Sequence, residues 1–218
     1  ITTIRASVPN YLISKYISEN TDIKVIFSGE GADELFGGYL YFHNAPTDKD
    51  FDEETRHLVN NLYKFDVLRA DRTTASNGLE VRVPFLDKNF VNYIMQLSSK
   101  YKNYQFFNIE KGILRKTFEN YLPENIIWRQ KDAFSDAVGY NWVTEIKKYA
   151  DTIISDNELR NCNKLYSQDT PTCKEGLLYR KIFEKYYPNK TNLIGYIWRP
   201  KWSETQEPSA TALSIHKK

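Results

Sequence analysis

Three carboxylates lie close together among glycines in the run Ser28-Gly29-Glu30-Gly31-Ala32-Asp33-Glu34-Leu35-Phe36-Gly37-Gly38: those of Glu30, Asp33 and Glu34. A glycine turn between a buried strand and a helix start places backbone N–H groups toward an anion, and phosphate is the usual occupant. The run is not a Walker motif, because no Lys-Ser or Lys-Thr follows the glycines, and it is not the dinucleotide fingerprint. Its acids would repel a bare triphosphate. At least one of them is therefore expected to face magnesium or to act on something other than phosphate, and on spacing alone Asp33 is the better metal candidate. Taken in isolation, the same residues also read as an ordinary helix start whose acids complement the dipole, and the two readings stand level.

Other residues could do chemistry but read more simply as structure. Arg69, Asp71, Arg72, Glu80, Arg82 and Asp87 form a dense charged set that could orient a small acid; a buried ion-pair network is the favoured reading. Lys111 and Arg115 stand one helical turn apart and could reach phosphate, with a solvated helix face the plainer expectation. Ser135 and Asp136 follow Lys131 closely and suit substrate contact or a helix cap. His43, His57 and His216 lack ligand spacing or a nucleophile partner, which argues against metal or triad chemistry. Tyr39, Tyr41 and Phe42 read as packing.

The elements that must position these residues follow from periodicity. From Ser7 the segment SVPNYLISKYISEN offers a cap, a first-turn proline and apolar residues at Val8, Leu12, Ile13, Tyr16 and Ile17, which predicts one amphipathic helix. The run IKVIF predicts a strand buried on both faces, the one strand expected with assurance. Helices are predicted over Asp52 to Lys64, Asp66 to Ser76, Asn89 to Leu97, Ile109 to Tyr121, Trp142 to Ile154 and Lys174 to Tyr187. Asn157 to Thr172 reads as a surface loop. Residues 1–202 are expected to form one folded unit and 203–218 a polar, extended or disordered tail.

Composition narrows the classes. A chain of 218 residues with 41% hydrophobic content can bury an ordinary core. Thirty basic and twenty-eight acidic residues, a formal charge of +2, provide no single-sign field for nucleic acid or an anionic membrane. Cys162 and Cys173 lack metal spacing and are too few for a disulfide framework. Without an apolar run of spanning length or a signal-peptide pattern, the expectation is a soluble, cytoplasmic protein. Because the chain opens on Ile1 rather than Met, its start is read as a cut end.

Four stretches now carry a resemblance: VIFSGEGADELFGGYLYFHNAP, DVLRADRTTASNGLEVRVPFLD, WRQKDAFSDAVGYNW, and IWRPKW followed by PSA. In that order they are similar, nearly residue for residue in the first, to the glutamine-hydrolysing asparagine synthetases, across most of the chain. The resemblance implies an α/β synthetase domain of the ATP-pyrophosphatase type, this portion being mainly helical. In that chemistry the side-chain carboxylate of aspartate attacks the α-phosphate of ATP, pyrophosphate leaves, and ammonia displaces AMP from the β-aspartyl adenylate. A carboxylate approaching a polyanion needs cations, hence magnesium and lysine.

Carried over residue by residue, the resemblance makes Ser28, Gly29 and Gly31 positions that line ATP. It links Glu30 to the adenylate step, where a carboxylate could also take the proton released after ammonia attack. Asp33 corresponds to a magnesium carboxylate, and Lys131 to a lysine beside the α-phosphate and pyrophosphate. The family's SGGLDSS loop and its glutaminase domain, which supplies ammonia, do not occur in this sequence, so the chain alone is expected not to turn over. Ala32 replaces a commoner serine, and PSATALSIHKK lacks an arginine usual near the end. A homodimer is compatible with the family. Two rivals remain: a related adenylating synthetase such as a β-lactam synthetase, and a non-catalytic nucleotide-binding or assembly module.

Overall fold

The structure, a computed structural model, describes residues 2–132, 134, 140–193 and 195–203. Ser135, Asp136, His216 and the tail from 204 onward lie outside the described residues. Helix α1 (Thr2–Asn20) begins ahead of the predicted cap at Ser7 and carries Pro9 in its interior. Proline has no N–H, so the carbonyl of Arg5, one turn earlier, loses its helical donor. The indole Nε1–H of Trp142 donates to it instead, at 3.1 Å. The buried face also differs from the predicted one: Arg5, Ala6 and Ser14 are buried, whereas Val8, Leu12, Ile13 and Tyr16 are exposed. That face lies on α4 (Asp66–Ala75), where the Asn10 amide donates to Thr73 Oγ1 at 3.0 Å.

Strand β1 (Val25–Phe27) pairs in parallel with β2 (Glu80–Arg82), Ile26 opposite Val81. The sequence reading offered one confident strand, buried on both faces; among the described residues there are two, and Val25 and Phe27 are exposed, Phe27 at 75%. Among the described residues no second layer covers the face on which those two alternate side chains stand. β2 escaped notice because Glu80 and Arg82 look like surface charge, which they are: they pair at 2.7 Å on the exposed side of a three-residue strand.

Between the strands, α2 (Ala32–Phe36) starts at Gly31 and stops at Gly37, with φ of 94° and 59°. Only glycine adopts such angles without strain, and at Gly31 a Cβ would also stand 2.3 Å from Leu86. Helix α3 (Asp48–Asn61) is capped by Thr47, whose hydroxyl accepts the Asp50 N–H. Helix α5 (Lys88–Gln96) is capped by Asp87 through the N–H groups of Asn89 and Phe90. The predicted helix over Ile109 to Tyr121 is broken. Only α8 (Gly112–Thr117) lies within that span, starting after Lys111 at a left-handed φ of 56°; ahead of it come α6 (Ser99–Lys102) and α7 (Tyr104–Phe107), the latter ended by Asn108 at φ 54°.

Beyond α9 (Glu124–Ile127) come α10 (Tyr140–Ile153), α11 (Asp156–Asn161) and α12 (Lys174–Tyr186). Helix α11 occupies the predicted loop and is set by a Ser155/Glu158 capping box. One core gathers Leu40, Tyr41, Phe42, Phe51 and Leu58, with Trp198 and Trp202 packed on it. A second, of Leu35, Phe36 and Ile94, lies under α2. A third, of Ala150, Ile154, Cys162 and Leu177, joins α10 to α12. The described residues are thus mainly helical around one small parallel sheet, and none of these helices is long and apolar enough to cross a membrane.

Candidate functional site

Helix α2 drives Leu35 and Phe36 into the core, with 0% and 2% exposure, and carries Asp33 in its first turn on the side away from Leu35. Two ammonium groups converge on that carboxylate from distant points of the chain. Lys111 Nζ donates to Oδ1 at 2.8 Å and Lys131 Nζ to Oδ2 at 3.1 Å. Burial would push the Asp33 carboxyl up, but Lys131 and Lys111 together outweigh it and hold the group below its usual value. Gly38 closes the other side, where a Cβ would fall 2.1 Å from Asp33 Oδ1 and 2.9 Å from Lys111 Cδ. The solvated helix face expected for Lys111 is therefore corrected: the left-handed turn at Lys111 turns its side chain inward.

A second cluster has the reverse charge ratio. Arg69, from α4, stands between two carboxylates: its Nη2 donates to Glu30 Oε1 at 2.9 Å and its Nη1 to Asp66 Oδ1. The Tyr39 hydroxyl donates to Asp66 Oδ2 at 2.9 Å and is also hydrogen-bonded to Glu34 Oε1. A phenol has one proton and cannot donate to both. Burial, with the Asp66 charge nearby, pushes Glu34 up to about 8, so near neutral pH Glu34 keeps its proton and donates to the Tyr39 oxygen. Burial likewise raises Glu30, with Arg69 pulling in the opposite direction.

The sequence-predicted residues thus meet in part. Glu30 and Asp33 share the turn into α2, and Lys131 reaches Asp33 from nearly a hundred residues on. Of the turn's amides, Ser28 N–H is used by the Arg82 carbonyl at 2.9 Å and Ala32 N–H by Gly29 O at 3.2 Å, so neither points at an anion. Space around Gly29 is open: a Cβ there would meet nothing within 4 Å. The charged set from Arg69 to Asp87 is not one network. Arg69 alone joins Glu30, while Asp71 pairs with Arg72 and Glu80 with Arg82 at the surface, and Asp87 caps α5. Sequence reading missed Asp66 and gave Tyr39 only a packing role; a carboxylate three residues before Arg69 on one helix face was the available signal.

Whether magnesium suits this site depends on its donors. Among the described residues no group of three or more His, Cys, Asp or Glu could hold a metal. Magnesium, however, commonly takes one or two carboxylates and completes its shell with water and substrate phosphate. Asp33 is a hard oxygen donor held anionic, but both of its oxygens accept lysine ammonium groups, so it could take that single-carboxylate role only with Lys111 or Lys131 drawn off.

The family model for asparagine synthase matches residues 1–58 and 44–216, and the chain belongs to that family. The glutamine-hydrolyzing asparagine synthetases of Homo sapiens and Mus musculus are each 48% identical over 225 residues, spanning all of this chain and 39% of theirs. That of Bos taurus is 47% identical over the same span. The chain thus covers about two fifths of the length of the curated relatives it matches.

Proposed function

We propose that this chain forms the back part of an ATP-pyrophosphatase-type synthetase domain, in residues 1–202, of a cytoplasmic enzyme that makes asparagine from aspartate, ATP and ammonia. The aspartate side-chain carboxylate attacks the α-phosphorus of ATP, the bond to pyrophosphate breaks, and ammonia then displaces AMP. The ammonia derives from glutamine at a glutaminase domain elsewhere in the polypeptide. The observation that carries this reading is the opposed charge ratio of the two clusters: two ammonium groups on Asp33, two carboxylates on Arg69. The cation-rich end suits a polyphosphate whose negative charge grows as pyrophosphate leaves. The carboxylate-rich end suits a nitrogen that becomes cationic when ammonia attacks.

Within that reading Lys131 and Lys111 stabilise the phosphates, and Glu30 takes the proton from the attacking nitrogen. Ser28, Gly29 and Gly31 line the nucleotide, the open space at Gly29 allowing close approach. Asp33 would hold magnesium, which when bound neutralises phosphate charge. The test is Glu30→Gln in the whole polypeptide. Asparagine formation is expected to fall by about a hundredfold or more, a typical general-base effect, while aspartate-dependent pyrophosphate release falls less. Equal, small losses in both would remove Glu30 from the chemistry. Bulkier acids replacing aspartate with equal efficiency would favour a related adenylating synthetase.

A further inference from the structure

Residues 128–131 carry Lys131 to the site without belonging to a helix or strand. Their place is set by Arg115, which is 9% exposed at the end of α8. Its Nη1 donates to the carbonyls of Ile127 and, at 2.9 Å, of Arg129. Its Nε donates to the Glu110 carbonyl at 2.9 Å and its Nη2 to Glu110 Oε1 at 3.2 Å. The same Oε1 accepts the backbone N–H of Lys131 at 3.0 Å. Positions 127, 129 and 131, every second residue, are thus tied to one guanidinium and the one carboxylate it pairs with. Behind Glu110, His43 stacks on Tyr104 with ring centroids 3.7 Å apart and its Nε2 lies 3.6 Å from Oε2.

We propose that Glu110 and Arg115 are positioning residues that fix the backbone of Lys131, so that its ammonium is delivered to the site in one place. This rests on the catalytic reading of Lys131 given above. A lysine is a point charge on a flexible four-carbon stem, and holding its backbone amide and its ammonium at two separate anions removes most of that freedom before substrate arrives. Arginine is needed at 115 because only its planar fork can serve three carbonyls and a carboxylate together. The sequence expectation of a solvated Arg115 fails because its partners are off the helix: Glu110, five residues back, and the carbonyls of Ile127 and Arg129, 12 and 14 residues on.

The test is a double-variant cycle in the whole polypeptide, read as kcat and KM for asparagine formation. Arg115→Met is expected to lower kcat about tenfold or more with smaller changes in KM, the loss of charge-assisted hydrogen bonds setting that scale. On a Lys131→Met background it should cost less than about twofold. Glu110→Gln, which keeps a carbonyl oxygen for the Lys131 amide, should recover most of what Glu110→Leu loses. In parallel, hydrogen exchange over 127–131 should rise about tenfold or more in Arg115→Met while α12 is unaffected. Where that variant does not fold, Arg115→Lys keeps the charge without the fork and should show the same exchange. Rate losses that multiply in the double variant, or unchanged exchange at 127–131, overturn the latch. A Lys131→Met enzyme of normal rate would instead remove the catalytic reading of Lys131, leaving exchange to decide the latch.

Discussion

Two ion-pair regions of this molecule are built from the same charges to opposite ends. Arg5 in α1 and Glu175 in α12 are 1% and 2% exposed and meet as a bidentate pair, at 2.8 and 2.6 Å. Tyr179 donates a further bond to Glu175 at 2.9 Å. Among the described residues one guanidinium meets one carboxylate, planar on planar, and both side chains are buried. Asp33 with Lys111 and Lys131 is different: two cations share one carboxylate, all three side chains are 18–22% exposed, and the donors are flexible lysines. The first arrangement, among the described residues, leaves neither charge in excess. The second holds a surplus positive charge, which a bound anion would balance. Ion pairing by itself therefore says little about role; stoichiometry and access separate a clamp from a site.

The sharpest break of this comparison is at the clamp. Glu175→Ala takes the bidentate carboxylate away from a buried guanidinium and is expected to destabilise by about 3–5 kcal/mol, seen as a fall in thermal midpoint. It would also loosen α1 from the third core. Lys131→Ala should give the converse signature. Asparagine formation by the whole polypeptide is expected to drop by about 10²–10³-fold, while stability moves by roughly 1 kcal/mol or less, since Asp33 keeps Lys111 and partial access to water.

The carboxylate-rich cluster gives a pH signature. Arg69 pulls the Glu30 carboxyl down against burial, which raises it above 4.5. Removing that cation in Arg69→Met must raise Glu30 further, so the acid limb of kcat/KM is expected to move to higher pH. An acid limb that stays put or moves lower would separate Glu30 from catalysis. The smallest effect lies at Glu34. Its carboxyl rises from 4.5 to about 8 on folding, so the native state holds a proton that the unfolded chain has lost, and this contribution to stability declines as pH climbs between those values. Glu34→Gln cannot ionise and still donates to Tyr39. Relative to the parent it should gain thermal stability at pH 8 and little at pH 5.

How much of this was legible in the sequence depends on the range of the interactions. The turn into α2 and its glycine boundaries follow from local chemistry, because left-handed angles and helix starts are set by neighbouring residues. Glu30 and Lys131 took their roles from the family resemblance, and the structure brings Lys131 to Asp33 across 98 positions. Arg115 and Lys111 were misjudged because spacing along an assumed helix cannot report the left-handed break at Asn108 and Lys111, nor partners beyond it. The exposed apolar side of α1 shows the same limit: periodicity predicts which side chains share a face, not which face finds a neighbour. By contrast, α11 was written locally in Ser155 and Glu158 and was overlooked amid turn-forming residues.

The central claim is that the surplus charge at Asp33 awaits the phosphates of ATP. A crystal structure of the whole polypeptide with ATP and magnesium tests this most directly. The account predicts phosphate oxygens within hydrogen-bond reach of the Lys131 and Lys111 ammonium groups, with at least one of the two drawn off Asp33. ATP bound elsewhere, with both lysines still on that carboxylate, would contradict it.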